Sequence, residues 1–206
     1  LPRVAFSNPP TPSPARSAVL VRLNHSHIRI GAFQRLAYED DAGMVDRLTR
    51  YVLTHLYGEI PGDNPAAQLL NGAVERIAQQ AASFMVAGFV HGVLNSDNIN
   101  VTGESFDYGP WRFNPNWDPR FTAAYFDHQG LYAFGRQAEA MHWNLAQLAI
   151  SLRLISEAPP LVEALERFPA LFQAAIVDRL MWRLGVASKG IEMDGALVEA
   201  GEQAMM

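Results

Sequence analysis

The chain has 206 residues, 49 % of them hydrophobic and 18 % charged, and a formal net charge of −5. That is enough apolar surface for one domain or one large lobe with a sizeable core, and the acidic balance gives no general attraction to nucleic acid or an anionic membrane. The absence of cysteine excludes a disulfide framework and cysteine-ligated zinc, and no apolar run reaches the ~18 residues of a membrane span. The first residue is Leu1, with no basic-then-apolar start. No secretory signal is therefore expected, and a natural N-terminus further upstream is.

In chain order, residues 7–17 are rich in proline and serine and predict an exposed loop or linker. Ala18 to Leu23 is a short apolar run that predicts a strand. Asp40 or Asp41 can cap a helix carrying Met44, Val45, Leu48, Val52, Leu53 and Leu56 on one face, with Pro61-Gly62 to stop it. Asn64-Pro65 is a strong helix start, an N-cap followed by proline at the first helical position. The helix it opens runs to about Val90, and its nearly uncharged second half, Ala81 to Val90, predicts burial on all sides. Residues 137–156 and 161–184 predict two further helices separated by Pro159-Pro160, and a weakly patterned helix follows Gly185. Trp143, Leu145, Leu148 and Leu152 form a stripe expected in the core.

The chemistry concentrates between the second and third of these helices. His91-Gly-Val-Leu-Asn-Ser-Asp-Asn98 follows the long buried helix, a turn containing Gly103 comes next, and Asp107 stands before Tyr108-Gly109. A loop-strand-loop of this length can bring Asn98 and Asp107 together. An amide oxygen and a carboxylate are hard ligands suited to magnesium held partly by phosphates. Protein kinases place a catalytic-loop Asn and an Asp-Phe-Gly aspartate on metal ions in this way. With His91 on the kinase catalytic-loop His, Val93 stands where kinases carry the catalytic base, and valine cannot take a proton. Asp97 is the nearest carboxylate. Taken singly these are turn residues; the ordered set behind a buried helix is more specific.

His91 to Pro110 closely resembles the signature of the selenoprotein O family, His-Gly-Val-Met-Asn-Thr-Asp-Asn followed by Asp-Tyr-Gly-Pro. Val21 to Phe33 is similar to the family's arginine segment. Phe126 to Phe134, with Arg136-Gln137 and Trp143-Asn144-Leu145, is similar to its next block, so the resemblance covers about residues 18–155. It implies an α+β, protein-kinase-like fold, here mostly the helical C-lobe (39–206) with the end of the N-lobe and the phosphate arginines (1–38). It implies a metal-dependent protein adenylyltransferase that moves AMP from ATP to Ser, Thr or Tyr hydroxyls of proteins. Asp97 is then the catalytic base, Arg22 and Arg29 bind the ATP phosphates, and Asn98 and Asp107 hold Mg2+ or Mn2+. The partners are protein substrates, with neither nucleic acid nor membrane. The location is cytoplasmic for a bacterial member and mitochondrial for a eukaryotic one. The family's glycine-rich segment, phosphate Lys and paired Glu fall upstream of Leu1, which makes low activity the expectation for these 206 residues alone.

Two other classes compete. Val93 favours a non-catalytic, nucleotide-binding pseudokinase scaffold. A small-molecule phosphotransferase also uses a His-Gly loop but keeps an Asp where Val93 stands. His25 and His27 are expected in packing or a phosphate loop rather than on a metal, and Asp127-His128 in structural hydrogen bonding. Trp111, Phe113, Trp117 and Phe121 are expected in the core, with a peptide-binding surface as the alternative. Arg35, Arg47 and Arg50 are expected as solvated charges.

Overall fold

A computed structural model describes residues 21–205. They form seven α-helices and one two-stranded sheet, a mixed α+β architecture dominated by helix. The proline-rich segment 7–17 and residues 18–20 of the expected strand lie outside the described residues. Residues 21–23 form no strand, and Val21 and Leu23 are exposed. Their apolar side chains meet no core, while Arg22 between them is held by hydrogen bonds.

Helix α3 (Pro65–Val86) is the axis of the body. Asn64 caps it by accepting from the Ala67 N–H at 3.1 Å, and Pro65 occupies the first turn, where no donor is lost. Leu69, Leu70, Ala73, Val74, Ile77, Ala78 and Ala81 are fully buried. Helices α4 (Gln137–Leu152), α5 (Ala158–Glu166) and α6 (Phe168–Leu184) pack around it, and α7 (Ile191–Met205) packs on α6. None of the described helices is long and apolar enough to cross a membrane.

α3 ends four residues before the expected Val90. Gly88 adopts a left-handed φ of 62°, and the chain turns into β1 (Phe89–Val90). β1 pairs antiparallel with β2 (Arg112–Phe113), Phe89 opposite Phe113 and Val90 opposite Arg112. Residues 83–89 are consequently half-buried rather than enclosed.

Asp41 caps α2 (Ala42–Tyr51), accepting from the Met44 N–H at 2.9 Å. A π-helical turn, Val52–Tyr57, continues it, and Gly58 at φ 70° ends it before Pro61-Gly62 is reached. Val45, Val52 and Leu53 are buried, whereas Met44 is exposed. Two departures concern proline. The expected break falls just before Pro159-Pro160, over residues 153–157, with both prolines inside the first turn of α5, and a second break at Arg167, before Pro169 in the first turn of α6, divides the helix expected over 161–184. Trp143 is 62 % exposed. It sits two residues from Leu145, roughly 200° around the helix, so the buried stripe is Met141, Leu145, Leu148 and Leu152.

Candidate active site

Helix α1 (Ile30–Tyr38), which carries no sequence signal for its start, packs against α4 and α2 and brings the arginine segment to the loop after β1. The Ile30 N–H donates to the Ile99 carbonyl at 3.0 Å, the Gly31 N–H to Ser96 at 2.9 Å, and the Val101 N–H to Ile28 at 3.0 Å. Residues 99–105 double back through Gly103, whose φ is 74°. The Asn100 N–H donates to Glu104 at 2.9 Å and the Phe106 N–H to the Asn98 carbonyl at 3.0 Å. The last bond sets Asn98 against Phe106, beside Asp107. The Asn98 amide donates to the Val93 carbonyl at 3.0 Å, so its oxygen is left for a ligand. Asp107 is exposed. An amide oxygen without a hydrogen-bond partner among the described residues and an exposed carboxylate on one hairpin are hard donors of the kind a divalent cation prefers.

Buried His91 holds this hairpin together. Its Nδ1 accepts from the Val93 N–H at 3.3 Å, so Nε2 carries the proton toward the Ser105 hydroxyl and the Asp107 carbonyl, each at 2.6 Å. Burial lowers its pKa, and the Asp107 carbonyl opposes that only in part, which keeps the ring neutral near pH 7. α4 supports the loop from below. Gln137, fully buried, accepts from the His91 N–H at 3.0 Å and donates to Phe89 at 2.9 Å, and Asn144 donates to the Leu94 carbonyl at 2.8 Å.

Asp97 lies on the exposed rim, its side chain 65 % accessible, 3.6 Å from the Arg29 guanidinium. A Cβ on Gly31 would overlap its carboxylate. Arg29 also lies over the Phe106 ring at 4.4 Å. Arg22 donates to the carbonyls of Ser105 (2.8 Å) and Phe106 and stacks over Tyr108 at 4.5 Å. Both arginines therefore flank the segment that carries Asp107, and Arg22 keeps free donors beyond the two it uses. His25 bonds Glu104 through its backbone and, at 2.9 Å, its ring, and His27 packs edge-on to Phe106.

Of the residues singled out in the sequence, Asp97, Asn98, Asp107, Arg22 and Arg29 thus converge on one hairpin and the start of α1. Asp127 is structural, accepting from the Leu131 and Tyr132 N–H groups at 2.8 Å. Trp117 and Phe121 pack on a small cluster of Val90, Ala123 and Phe134, while Phe113 is 60 % exposed and edge-on to Phe89. Arg35 and Arg50 make exposed i,i+4 pairs. Gly31, Gln137 and Asn144 matter to the site through backbone and spacing; the last two fall in the block that resembles the family, without a sign of which groups they hold.

A family model described as protein adenylyltransferase SelO matches residues 7–205, and the chain belongs to that family. Relatives named protein nucleotidyltransferase YdiU are similar along most of it. One from Synechocystis sp. is 40 % identical over 193 residues, covering 91 % of this chain and 40 % of its own. One from Synechococcus sp. is 43 % identical over 175 residues, covering 84 % and 36 %. One from Pseudomonas entomophila is 37 % identical over 184 residues, covering 89 % and 38 %. The chain spans about two-fifths of the length of these relatives.

Proposed function

We propose that the chain carries the catalytic centre of a protein adenylyltransferase with a protein-kinase-like fold, which moves AMP from ATP to Ser, Thr or Tyr hydroxyls of proteins. The observation that supports this most is the hairpin bond from Phe106 to Asn98, which gathers Asn98 and Asp107 beside exposed Asp97. Asn98 and Asp107 would hold a magnesium or manganese ion, which when bound offsets the charge of the phosphates.

Asp97 takes the proton of the acceptor hydroxyl. The hydroxyl oxygen bonds to the α-phosphorus, the bond from that phosphorus to the bridging oxygen breaks, and pyrophosphate leaves. Arg22 and Arg29 stabilise the charge that develops on it, arginine being suited by its fixed fork of donors. Residues 1–38 are read as the end of the N-lobe and 39–206 as the C-lobe.

The test is incubation of the full-length protein with ATP labelled at the α- or the γ-phosphate. Label on protein from the α-position is expected, lost in Asp97→Ala and Asp107→Ala. Label from the γ-position alone would restore a kinase. ATP bound with no transfer would favour the scaffold reading, to which Val93 at the usual base position points.

A further inference from the structure

A cavity of about 750 Å³ lies not at the Asp97 hairpin but in a basin beside it, built by the segment after β2 and the turn leading into α4. Its volume is that of a ligand site. Three guanidiniums, Arg112, Arg120 and Arg136, and the ring of His128 line it against a single carboxylate, Asp127. In a chain of net charge −5 this lining is basic, although Asp118 and Glu139 stand beside Arg120 and Arg136.

The lone carboxylate does not neutralise it. Asp127 is turned into its own loop, accepting from two backbone N–H groups at 2.8 Å. Arg136 is engaged by Glu139 at 3.1 Å and by the Gly130 carbonyl. Arg112 and Arg120 remain. Arg112 is exposed on β2 and makes no ion pair among the described residues. Arg120 is 93 % exposed and reaches only Asp118, at 3.9 Å, a pair too open to hold it.

The basin also shares a wall with the catalytic loop. A Cβ on Gly92, at φ 87°, would lie 3.2 Å from the Ala123 Cβ and 3.4 Å from the Ala124 nitrogen, both basin residues. Arg112 pairs in register with Val90, the residue before His91. The basin thus abuts the loop that carries Asp97 and presents to solvent the Arg112 and Arg120 guanidiniums, neither of them held by a close ion pair among the described residues.

We propose that this basin docks the acidic flank of the acceptor protein, a segment bearing Asp or Glu within a few residues of the hydroxyl that receives AMP. The inference rests on the adenylyl-transfer reading of the Asp97 loop. Each guanidinium presents paired donors that match a carboxylate, and the same two charges disfavour a basic segment.

The experiment uses the full-length protein and fluorescent peptides with one central serine, flanked by Asp and Glu or by Asn and Gln. Anisotropy is read without ATP, so that binding is scored apart from turnover. The acidic peptide is expected to bind about tenfold more tightly, with the advantage shrinking as salt is raised. Arg112→Glu/Arg120→Glu should abolish that advantage while α-label transfer to the neutral peptide keeps its rate. Arg112→Gln/Arg120→Gln repeats the test should the reversal fail to fold. Equal affinity for the two peptides, or a preference that survives the folded double variants, would overturn the proposal. So would displacement of the acidic peptide by inorganic phosphate better than by chloride at equal ionic strength, which would make the basin a site for free phosphate. Absence of AMP transfer to any peptide, with the binding preference intact, would sink the activity reading and the acceptor role while leaving an acidic docking site.

Discussion

His25 is the residue whose bond to the hairpin of Asn98 and Asp107 titrates. Its pKa is raised by the hydrogen bond to Glu104 and by that carboxylate's charge. The folded value therefore lies above the ordinary imidazole value of about 6.5. The tie is complete below the unfolded pKa and is lost as pH rises through the folded one. Residues 22–28 should then exchange their amide hydrogens faster, after correction for intrinsic rates, on going from about pH 6 to about pH 8.5. Glu104→Gln should remove that dependence, and an unchanged pH response in the variant would dissociate the tie from His25. Gly31 sets a second test. Alanine is favoured over glycine in a helix by up to about 1 kcal/mol, so Gly31→Ala should not lower the melting temperature. Its methyl group would meet the Asp97 carboxylate, which has to swing away. AMP transfer should fall at least tenfold, about 1.4 kcal/mol of barrier, with ATP binding retained. Full activity in this variant would mean that the position of Asp97 does not matter to the reaction.

Gln137 shows how one element holds another. The amide at the first position of α4 satisfies two backbone groups of the strand-to-loop junction, the His91 N–H and the Phe89 carbonyl. Gln137→Leu keeps the volume and orphans both, at about 1–3 kcal/mol for each buried group. Thermal or urea unfolding should register a loss of about 2–6 kcal/mol, and a loss below ~1 kcal/mol would mean that water replaces the amide. Gln137 falls in the block that resembles the family, but which groups it holds cannot be read there, because glutamine at a helix start has no pattern of its own. What was legible follows the same logic in reverse. Asn64-Pro65 and Asp41 act locally, through their own backbone, and both cap as expected. Asn98 and Asp107 were legible through spacing, since the Gly103 turn fixes which residues face each other. α1 was not, because Arg29 at its N-cap makes no side-chain capping bond and the position of the helix comes from bonds to Ser96 and Ile99, far away in sequence. The prolines at 159 and 160 were read as a separator although they open α5, because proline at a helix start and proline at a helix stop look alike without the tertiary context.

At the scale of the molecule, the hairpin is braced along α3 by the end of the π-helical turn. The Tyr57 hydroxyl, at the end of the π-helical turn, donates to the Val101 carbonyl at 2.7 Å. Its ring is covered by the Arg76 guanidinium, 3.6 Å from the ring centroid. Arg76 in turn bonds the Gly72 carbonyl at 3.0 Å. Gly72 is what lets the ring lie this close to α3, for a Cβ there would sit 2.5 Å from the ring and 2.9 Å from the guanidinium. Neither neighbour can yield cheaply, because the ring is fixed by its hydroxyl bond and the guanidinium by its place on the ring. Gly72→Ala should therefore destabilise by the about 1–3 kcal/mol of an overpacked core, despite the better helix propensity of alanine. Amide exchange at residues 101–106 should accelerate with it, since displacing Tyr57 releases the Val101 carbonyl. The cause can be isolated by a double-mutant cycle with Tyr57→Ala. With the ring removed the steric cost disappears and the propensity gain of up to about 1 kcal/mol remains, so Gly72→Ala should change from destabilising to neutral or stabilising. If the substitution costs the same with and without the ring, the close approach of Tyr57 to α3 is not what requires glycine there.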